Sequence, residues 1–231
     1  MSRRSIVFCV FALLAAILFV RLGFWQLARL HAKVQRNVAI ASQQREAPAQ
    51  LASMPRDTAL AHYRRVTVAG RFDYGQELVL SARSHQGSPG VELITPMRLA
   101  GSDSAVLVDR GWVYSPDGAS VDRKRWREQD SATVTGYVEQ YAPDAGTTTA
   151  AKDPRIVRRI SRREVSSRLP YPIAPYYVVQ TGDTATSHPV RREMPALDEG
   201  PHRSYAIQWF SFAVIALAGA LAVVRRERQV P

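Results

Sequence analysis

The longest apolar run of the sequence lies near its C-terminus and limits the fold more than any other feature. Between Tyr205 and Val224 only Gln208 and Ser211 are polar. About 20 apolar residues, each rising 1.5 Å along a helix, span the hydrocarbon core of a bilayer. The run therefore predicts a transmembrane helix over residues 204–224.

A second apolar run, Ile6–Val20, follows Arg3 and Arg4 near the N-terminus. Such a pattern fits either a cleaved signal peptide or an uncleaved membrane anchor. No clean small-x-small cleavage site follows the run, and Trp25 suits the aromatic belt of a membrane interface. We therefore expect residues 1–27 to form a first transmembrane helix with a cytoplasmic N-terminus.

Basic residues flank both runs on the side that faces the chain ends. Arg3 and Arg4 precede the first run, and three arginines follow the second within the tail 225–231. The positive-inside rule then places both termini in the cytoplasm, and a long middle segment translocates largely regardless of its own charge. No Arg/Ser-rich presequence precedes the first helix, so the expected location is a bacterial inner (plasma) membrane with a periplasmic central domain.

The sequence between the two runs divides into a stalk and a larger domain. Residues 27–44 carry charges at helical spacing, and Pro48 and Pro55 end that pattern, which predicts a helical stalk over residues 28–55. An extracytoplasmic domain is expected over residues 56–203. The predicted fold class is a membrane protein in which N- and C-terminal transmembrane helices flank an antiparallel β-rich barrel or sandwich with one or two helices.

Alternating β-branched residues between turn signals predict the strands of the domain. The predicted strands are residues 64–72, 77–82, 90–97, 105–113, 132–140 and 176–180. The first two are expected to pair as a hairpin. A basic helix is expected over residues 156–168, a short helix or loop over 122–130, and a turn-rich segment over 144–152.

Apolar residues that recur at strand spacing predict the core of the domain. The predicted core includes Val66, Val68, Leu80, Val106, Val108 and Val134. Gly111, inside a predicted strand, indicates a bulge or a close approach of another backbone segment. Its neighbour Trp112 is expected to pack in the core or against the membrane-proximal helices.

The charge and cysteine content narrow the range of partners. The formal net charge is +11, but basic stripes interleaved with aromatic residues are missing, which argues against a nucleic-acid partner. Anionic lipid head groups or an acidic protein surface fit the basic balance better. The single cysteine, Cys9, lies in the first apolar run, so one chain cannot form a disulfide or a thiolate metal site in its middle domain.

Familiar catalytic motifs are missing from the sequence. It contains no G-x-S-x-G, no H-E-x-x-H and no phosphate-binding glycine-rich motif. His31, His62, His85 and His188 are scattered singly. We therefore expect no enzyme, with a membrane-tethered hydrolase built from distant serine and acidic residues as a remaining alternative.

One helical face at the start of the C-terminal run combines residues that can bind a ligand. His202, Tyr205 and Trp209 are three and four residues apart, so they share a face if the helix begins by His202. Two interpretations are open. The three side chains either anchor the helix at the outer membrane interface, as aromatic and polar residues often do, or form a binding face.

Several local patterns occur in a fixed order along the chain. They are Leu22-Gly23-x-Trp25-Gln26, Tyr63-x-x-Val66-x-Val68-x-Gly70-x-Phe72, Gly90-Val91-x-x-x-Thr95-Pro96, Val108-Asp109-Arg110-Gly111-Trp112-Val113, Val134-Thr135-Gly136 and His202-x-x-Tyr205-Ala206-Ile207-Gln208-Trp209-Phe210. Together they resemble the surfeit locus protein 1 family, the Shy-type assembly factors of haem-copper cytochrome c oxidase. Two local features differ from the family pattern: Arg203 stands where leucine is common, and Gly200-Pro201 where asparagine is frequent.

The resemblance implies a role in haem a handling during maturation of the oxidase's catalytic subunit. It nominates His202 as a haem ligand; Tyr205 and Trp209 would then cover the hydrophobic haem a, and Arg203 would pair with a propionate. The implied partners are the membrane lipid bilayer, the catalytic subunit of cytochrome c oxidase and other assembly or haem-synthesis factors. A scaffold that binds oxidase subunits without touching haem is the main alternative.

Overall fold

The structure, a computed structural model, describes residues 2–144, 153–182, 185 and 188–229. The chain divides into two compact units. A helix-pair unit contains Met1–Ala41 and Ala196–Pro231, and a β domain contains Ser42–Pro195. Most of the turn-rich segment expected over residues 144–152 lies outside the described residues.

The secondary structure follows the predicted order of elements. The helices are α1 (Arg3–Arg45), α2 (Thr58–Ala61), α3 (Arg162–Arg168) and α4 (His202–Arg228). The strands are β1 (Ala49–Gln50), β2 (Arg65–Phe72), β3 (Leu78–His85), β4 (Ser88–Leu99), β5 (Ala105–Tyr114), β6 (Ser131–Glu139), β7 (Ile156–Val157) and β8 (Tyr177–Gln180). Short 3-10 helices lie at Leu51–Ser53, Tyr74–Gln76 and Arg123–Trp126.

Both predicted membrane segments lie in helices that are long and apolar enough to cross a membrane. At 1.5 Å per residue, the 43 residues of α1 extend for about 65 Å, roughly twice the hydrocarbon thickness of a bilayer. The apolar part of α1 therefore continues into a polar helical segment, as the sequence predicted. That helix ends at Arg45, before Pro48, so the stalk expected over residues 28–55 is helical only in its first part.

The two long helices pack through small residues and aromatic rings. Ala12 and Ala16 of α1 are buried, as are Ala206 and Ala213 of α4. A side chain at Gly23 would collide with the ring of Phe210, so this glycine lets the two helices approach closely. The pairing fixes which face of α4 is turned toward α1.

The strands of the β domain form a closed ring, which confirms the barrel among the predicted architectures. The order around the ring is β2, β6, β8, β5 and β4, and a ladder between β4 and β2 closes it. Its ladders are antiparallel except for β5–β8, where Val108 and Asp109 pair in parallel with Val178 and Val179. Outside the ring, β3 pairs with β4 and β7, and β1 extends β2.

The predicted hairpin between the first two long strands is wrong. β2 and β3 both exist but do not pair with each other; each pairs with a different half of β4. Phe72 of β2 lies opposite Met97, and Leu78 of β3 lies opposite Ile94. The 3-10 helix Tyr74–Gln76 separates the two strands, and β4, at 12 residues, is long enough to accept both.

The predicted core is confirmed, with exposures of 4% or less for all six residues. Five of them belong to one cluster with Phe72, Met97 and Val178. The sixth, Leu80, lies in a second cluster with Ile94, Leu107 and Val165. Strand alternation therefore identified buried positions correctly without showing that they fill two separate clusters.

The helix expected over residues 156–168 begins later than predicted. Ile156 and Val157 form β7 and pair in parallel with β3, because their β-branched side chains suit a strand. The helix α3 starts at Arg162, after the N-cap Ser161, whose hydroxyl accepts a hydrogen bond from the Glu164 amide at 3.4 Å.

Gly111 lies at the irregularity that the sequence predicted. Its φ of +119° is strained for any residue with a side chain, and a Cβ there would collide with the backbone of Val190. The β4–β5 register also shifts at this point. Backbone bonds in both directions between Trp112 and Val190, of 2.8 and 2.7 Å, attach the segment around Val190 to β5.

Candidate functional site

His202 is the first residue of α4, and a glutamine from α1 holds its ring. His202 Nδ1 lies 2.8 Å from Oε1 of Gln26. An amide oxygen only accepts hydrogen bonds, so Nδ1 is the donor in this contact. Gln26 is itself buried, with 8% of its surface exposed. The contact therefore holds the orientation of the imidazole, and in the neutral ring Nε2 is the nitrogen without a proton.

The segment before His202 is tied to α1 by polar contacts. Lys33 Nζ lies 2.6 Å from Oδ1 of Asp198, and the Asn37 side chain donates to the Asp198 carbonyl at 2.7 Å. The hydrogen bond from Lys33, together with its charge, lowers the pKa of Asp198 below its ordinary value. These contacts fix the point at which the chain enters α4, and hence the position of His202.

The turn into α4 places Gly200 in a left-handed backbone conformation. Gly200 has φ of +68°, in the left-handed region that glycine adopts freely and asparagine tolerates. Glycine therefore fits this backbone conformation without strain. Glycine at this position leaves the entry to α4 intact.

The structure separates the remaining predicted site residues into two groups. Arg203 is exposed, and Tyr205 is 46% exposed, so both can meet a molecule outside the helix pair. Trp209 instead stacks on Phe19 of α1, with 5.7 Å between ring centroids and 26° between planes. The indole ring of Trp209 thus packs between the helices, one turn below the exposed part of the face.

Two distant sequence patterns meet at this site. Gly23 and Phe24 both contact Phe210, the second pair edge to face at 5.5 Å, and Gln26 contacts His202. The N-terminal pattern thus forms the surface on which the C-terminal pattern packs. The sequence analysis named Gln26 only as part of a local pattern and did not predict its contact with His202.

The β domain holds a buried group of charges, here called the Arg110 cluster and consisting of Arg110, Glu77, Glu128, Thr95 and Arg191. Arg110, fully buried, lies 2.8 Å from a carboxylate oxygen of Glu77 and 2.8 Å from one of Glu128. Thr95 donates to Glu77 at 2.6 Å, and Arg191 pairs with Glu128. Every carboxylate in this cluster has a cationic partner, which indicates a structural role.

A second charged group, the Asp109 cluster, consists of the buried acids Asp109 and Glu92 and the exposed Arg192. Arg192 lies 3.5 Å from Asp109 and 3.3 Å from Glu92. Burial, and then the charge of Glu92, raise the pKa of Asp109 to about 7, although Arg192 opposes the shift. Neither cluster contains an exposed nucleophile beside a base. Among the described residues, no three His, Cys, Asp or Glu side chains converge as a metal site.

A model of the SURF1 family matches residues 13–214, which include parts of both helices of the site and the whole β domain. The chain belongs to the SURF1 family. The match confirms the resemblance inferred from the local patterns. It begins inside α1 and ends inside α4, so the polar contacts around His202 lie within the family region.

Individual SURF1 relatives come from bacteria and eukaryotes. A SURF1-like protein of Monosiga brevicollis is 33% identical over 49% of this chain and 46% of its own length. An uncharacterized SURF1-like protein of Mycobacterium tuberculosis is 29% identical over 73% of the chain and 64% of its length. A SURF1-like protein of Rickettsia felis is 24% identical over 91% and 93%. The chain thus spans less than two thirds of the first two relatives.

Proposed function

We propose that this SURF1-family protein is an assembly factor of haem-copper cytochrome c oxidase and that it holds haem a through His202. Family membership supports the assembly role in general. The hydrogen bond between His202 and Gln26 supports the haem-binding part, because in the neutral ring it leaves Nε2 as the nitrogen that can bind iron. Haem iron commonly accepts an imidazole nitrogen in proteins.

The surroundings of His202 fit such a ligand. A metal-binding histidine typically donates its other ring N–H to an oxygen, which fixes its orientation, and Gln26 supplies that oxygen. Tyr205, exposed one turn along α4, offers an aromatic surface for the porphyrin, and exposed Arg203 offers a guanidinium for a propionate. In this proposal Trp209 acts through the packing of α4 on α1 rather than by covering the macrocycle.

The proposed setting is a bacterial inner membrane, with both chain ends in the cytoplasm and the β domain in the periplasm. Arginines at both chain ends support this orientation by the positive-inside rule. Alkaline phosphatase fused after Asp144 should be active, and the same enzyme fused after Pro231 inactive. The reverse pattern, or a mature N-terminus near Leu22, would contradict it.

His202→Ala tests the haem proposal directly. We expect the parent protein, purified in detergent after co-expression with haem a synthesis, to show a Soret band, and the variant to lose it. His31→Ala, on the exposed side of α1, removes the histidine nearest in sequence to the α1 pattern and should keep most of the band. The His202 variant should still insert, because the apolar run, not one interfacial histidine, holds α4 in a bilayer.

Gln26→Ala tests the contribution of the hydrogen bond to His202, and we expect it to weaken haem binding without abolishing it. Loss of an oxygen that orients a metal-binding histidine typically weakens metal binding about 10–100-fold. This variant should therefore bind haem at high concentration but release it more readily than the parent.

A parent protein without haem, or a His202→Ala variant with undiminished haem, would favour the alternative function. That alternative is a membrane scaffold that grips oxidase subunits and never touches haem.

A further inference from the structure

Two arginines face each other where the barrel closes. In the antiparallel ladder between β2 and β4, Arg71 lies directly opposite Arg98. Like charges in this arrangement destabilise a sheet, and this ladder is the one that joins the two ends of the ring.

The neighbours of the two arginines neither fully neutralise their charges nor satisfy all their hydrogen-bond donors. Arg71 lies 3.4 Å from Asp130, but both side chains are mostly exposed, at 72% and 60%, so solvent weakens the pair. Arg98 stacks on the ring of Tyr171 at 4.4 Å, and its Nε is buried without a hydrogen-bond partner among the described residues. Buried donors are nearly always paired in folded proteins, so the unpaired Nε of Arg98 points to a missing acceptor.

A third arginine joins the pair around one pocket. Arg127, which stacks on Tyr74 at 5.0 Å, lines a cavity of about 290 Å³ together with Arg71 and Arg98. Phe72, Tyr74, Asp73 and Asp130 complete the lining. Asp73 accepts a hydrogen bond from Tyr171 at 2.8 Å, and Asp130 faces Arg71, so both carboxylates are already engaged.

A larger depression extends this pocket along the ladder. Its volume is about 760 Å³, and it shares Arg71 and Arg98 with the smaller pocket. Gly70 also lines it. The two guanidinium groups thus stand between a smaller pocket and a larger depression.

We propose that the pocket formed by Arg71, Arg98 and Arg127 binds the oxyanion of a phosphate- or carboxylate-bearing small molecule or lipid head group. Guanidinium groups match both oxyanions through paired N–H donors. The anion would occupy the smaller cavity, and the rest of the molecule would lie in the larger depression. This site is independent of His202 and of haem.

The test uses the full-length protein in lipid nanodiscs and inorganic phosphate as the probe. Calorimetric titration at low ionic strength should give saturable binding in phosphatidylcholine discs. Arg98→Gln should weaken it at least tenfold, because it removes one guanidinium and the unpaired Nε. Arg158→Gln is the matched control: it removes the same charge from an exposed position outside the pocket and should leave the affinity unchanged.

A second arm identifies the source of the anion. If phosphate binding disappears in discs of phosphatidylglycerol, lipid head groups occupy the site; if it persists, the ligand is a soluble anion. Both results support the site when Arg98→Gln melts like the parent. Two results would overturn it: no saturable binding in either disc, or equal weakening by Arg98→Gln and Arg158→Gln, which would indicate only a general charge effect.

Discussion

Replacing Arg110 with methionine should strongly destabilise the β domain. Arg110 is completely buried, and Glu77, the more buried of its two carboxylate partners, has a side-chain exposure of 2%. Methionine fills similar space but removes the positive charge. Glu77 would then keep the hydroxyl of Thr95 as its remaining hydrogen-bond donor in the cluster, whereas Glu128 would keep Arg191.

The expected loss in unfolding free energy follows from leaving one buried carboxylate without its cationic partner. Breaking a buried ion pair by removing one partner typically costs about 3–5 kcal/mol. For a domain of this size, each kcal/mol lowers Tm by about 2–4 °C, which gives an expected drop of about 6–20 °C. Replacing Glu77 with methionine as well removes the unpaired charge, so the double variant should recover most of the loss.

Thermal unfolding of the detergent-purified protein, followed by circular dichroism at a β-sheet wavelength, measures these differences. Arg163→Met is the control, because Arg163 is 84% exposed in its pair with Asp144 and should contribute less than about 1 kcal/mol. The reasoning fails if Arg110→Met melts within about 2 °C of the parent. It also fails if the double variant is no more stable than the single one.

Two further predictions concern the domain core. The pKa of Asp109 is raised in the folded state, so between about pH 4 and pH 7 the folded protein keeps a proton on Asp109 that the unfolded chain has lost. The stabilisation that comes from this proton should therefore decrease as the pH rises through that range. Asp109→Asn should remove this pH dependence of the unfolding free energy. The check is the difference in unfolding free energy between parent and variant, measured at several pH values. A difference that does not change with pH would contradict the raised pKa. Val108→Asp should cost several kcal/mol, because Val108 is fully buried inside the ring, and a variant that accumulates and melts like the parent would exclude that placement.

The sequence predicted the elements of the fold better than their pairing. β-branched alternation found β2, β5 and β6 because one face of each strand must be apolar. The closure of the ring was not predictable in this way. β4 divides its length between β3 and β2, and this choice depends on contacts between distant strands rather than on any local pattern.

The same limit applies to the candidate site, where local spacing was predictable and contacts between distant residues were not. Helical spacing placed His202, Tyr205 and Trp209 on one face, but it could not show that Trp209 packs on Phe19. Gln26 and His202 are 176 positions apart, so only the packing of the two helices brings them together. The available signal was Gly23, three positions before Gln26, since a residue without a side chain permits a close helix contact.

The position of β8 in the ring sets the order in which the chain can complete its fold. β8 is the last strand along the sequence, yet it lies between β6 and β5. Until Gln180 has been synthesised, β5 and β6 each present an unpaired edge, and such edges readily join other chains. A nascent or truncated chain that ends before Tyr177 therefore exposes two strand edges that can pair with other chains.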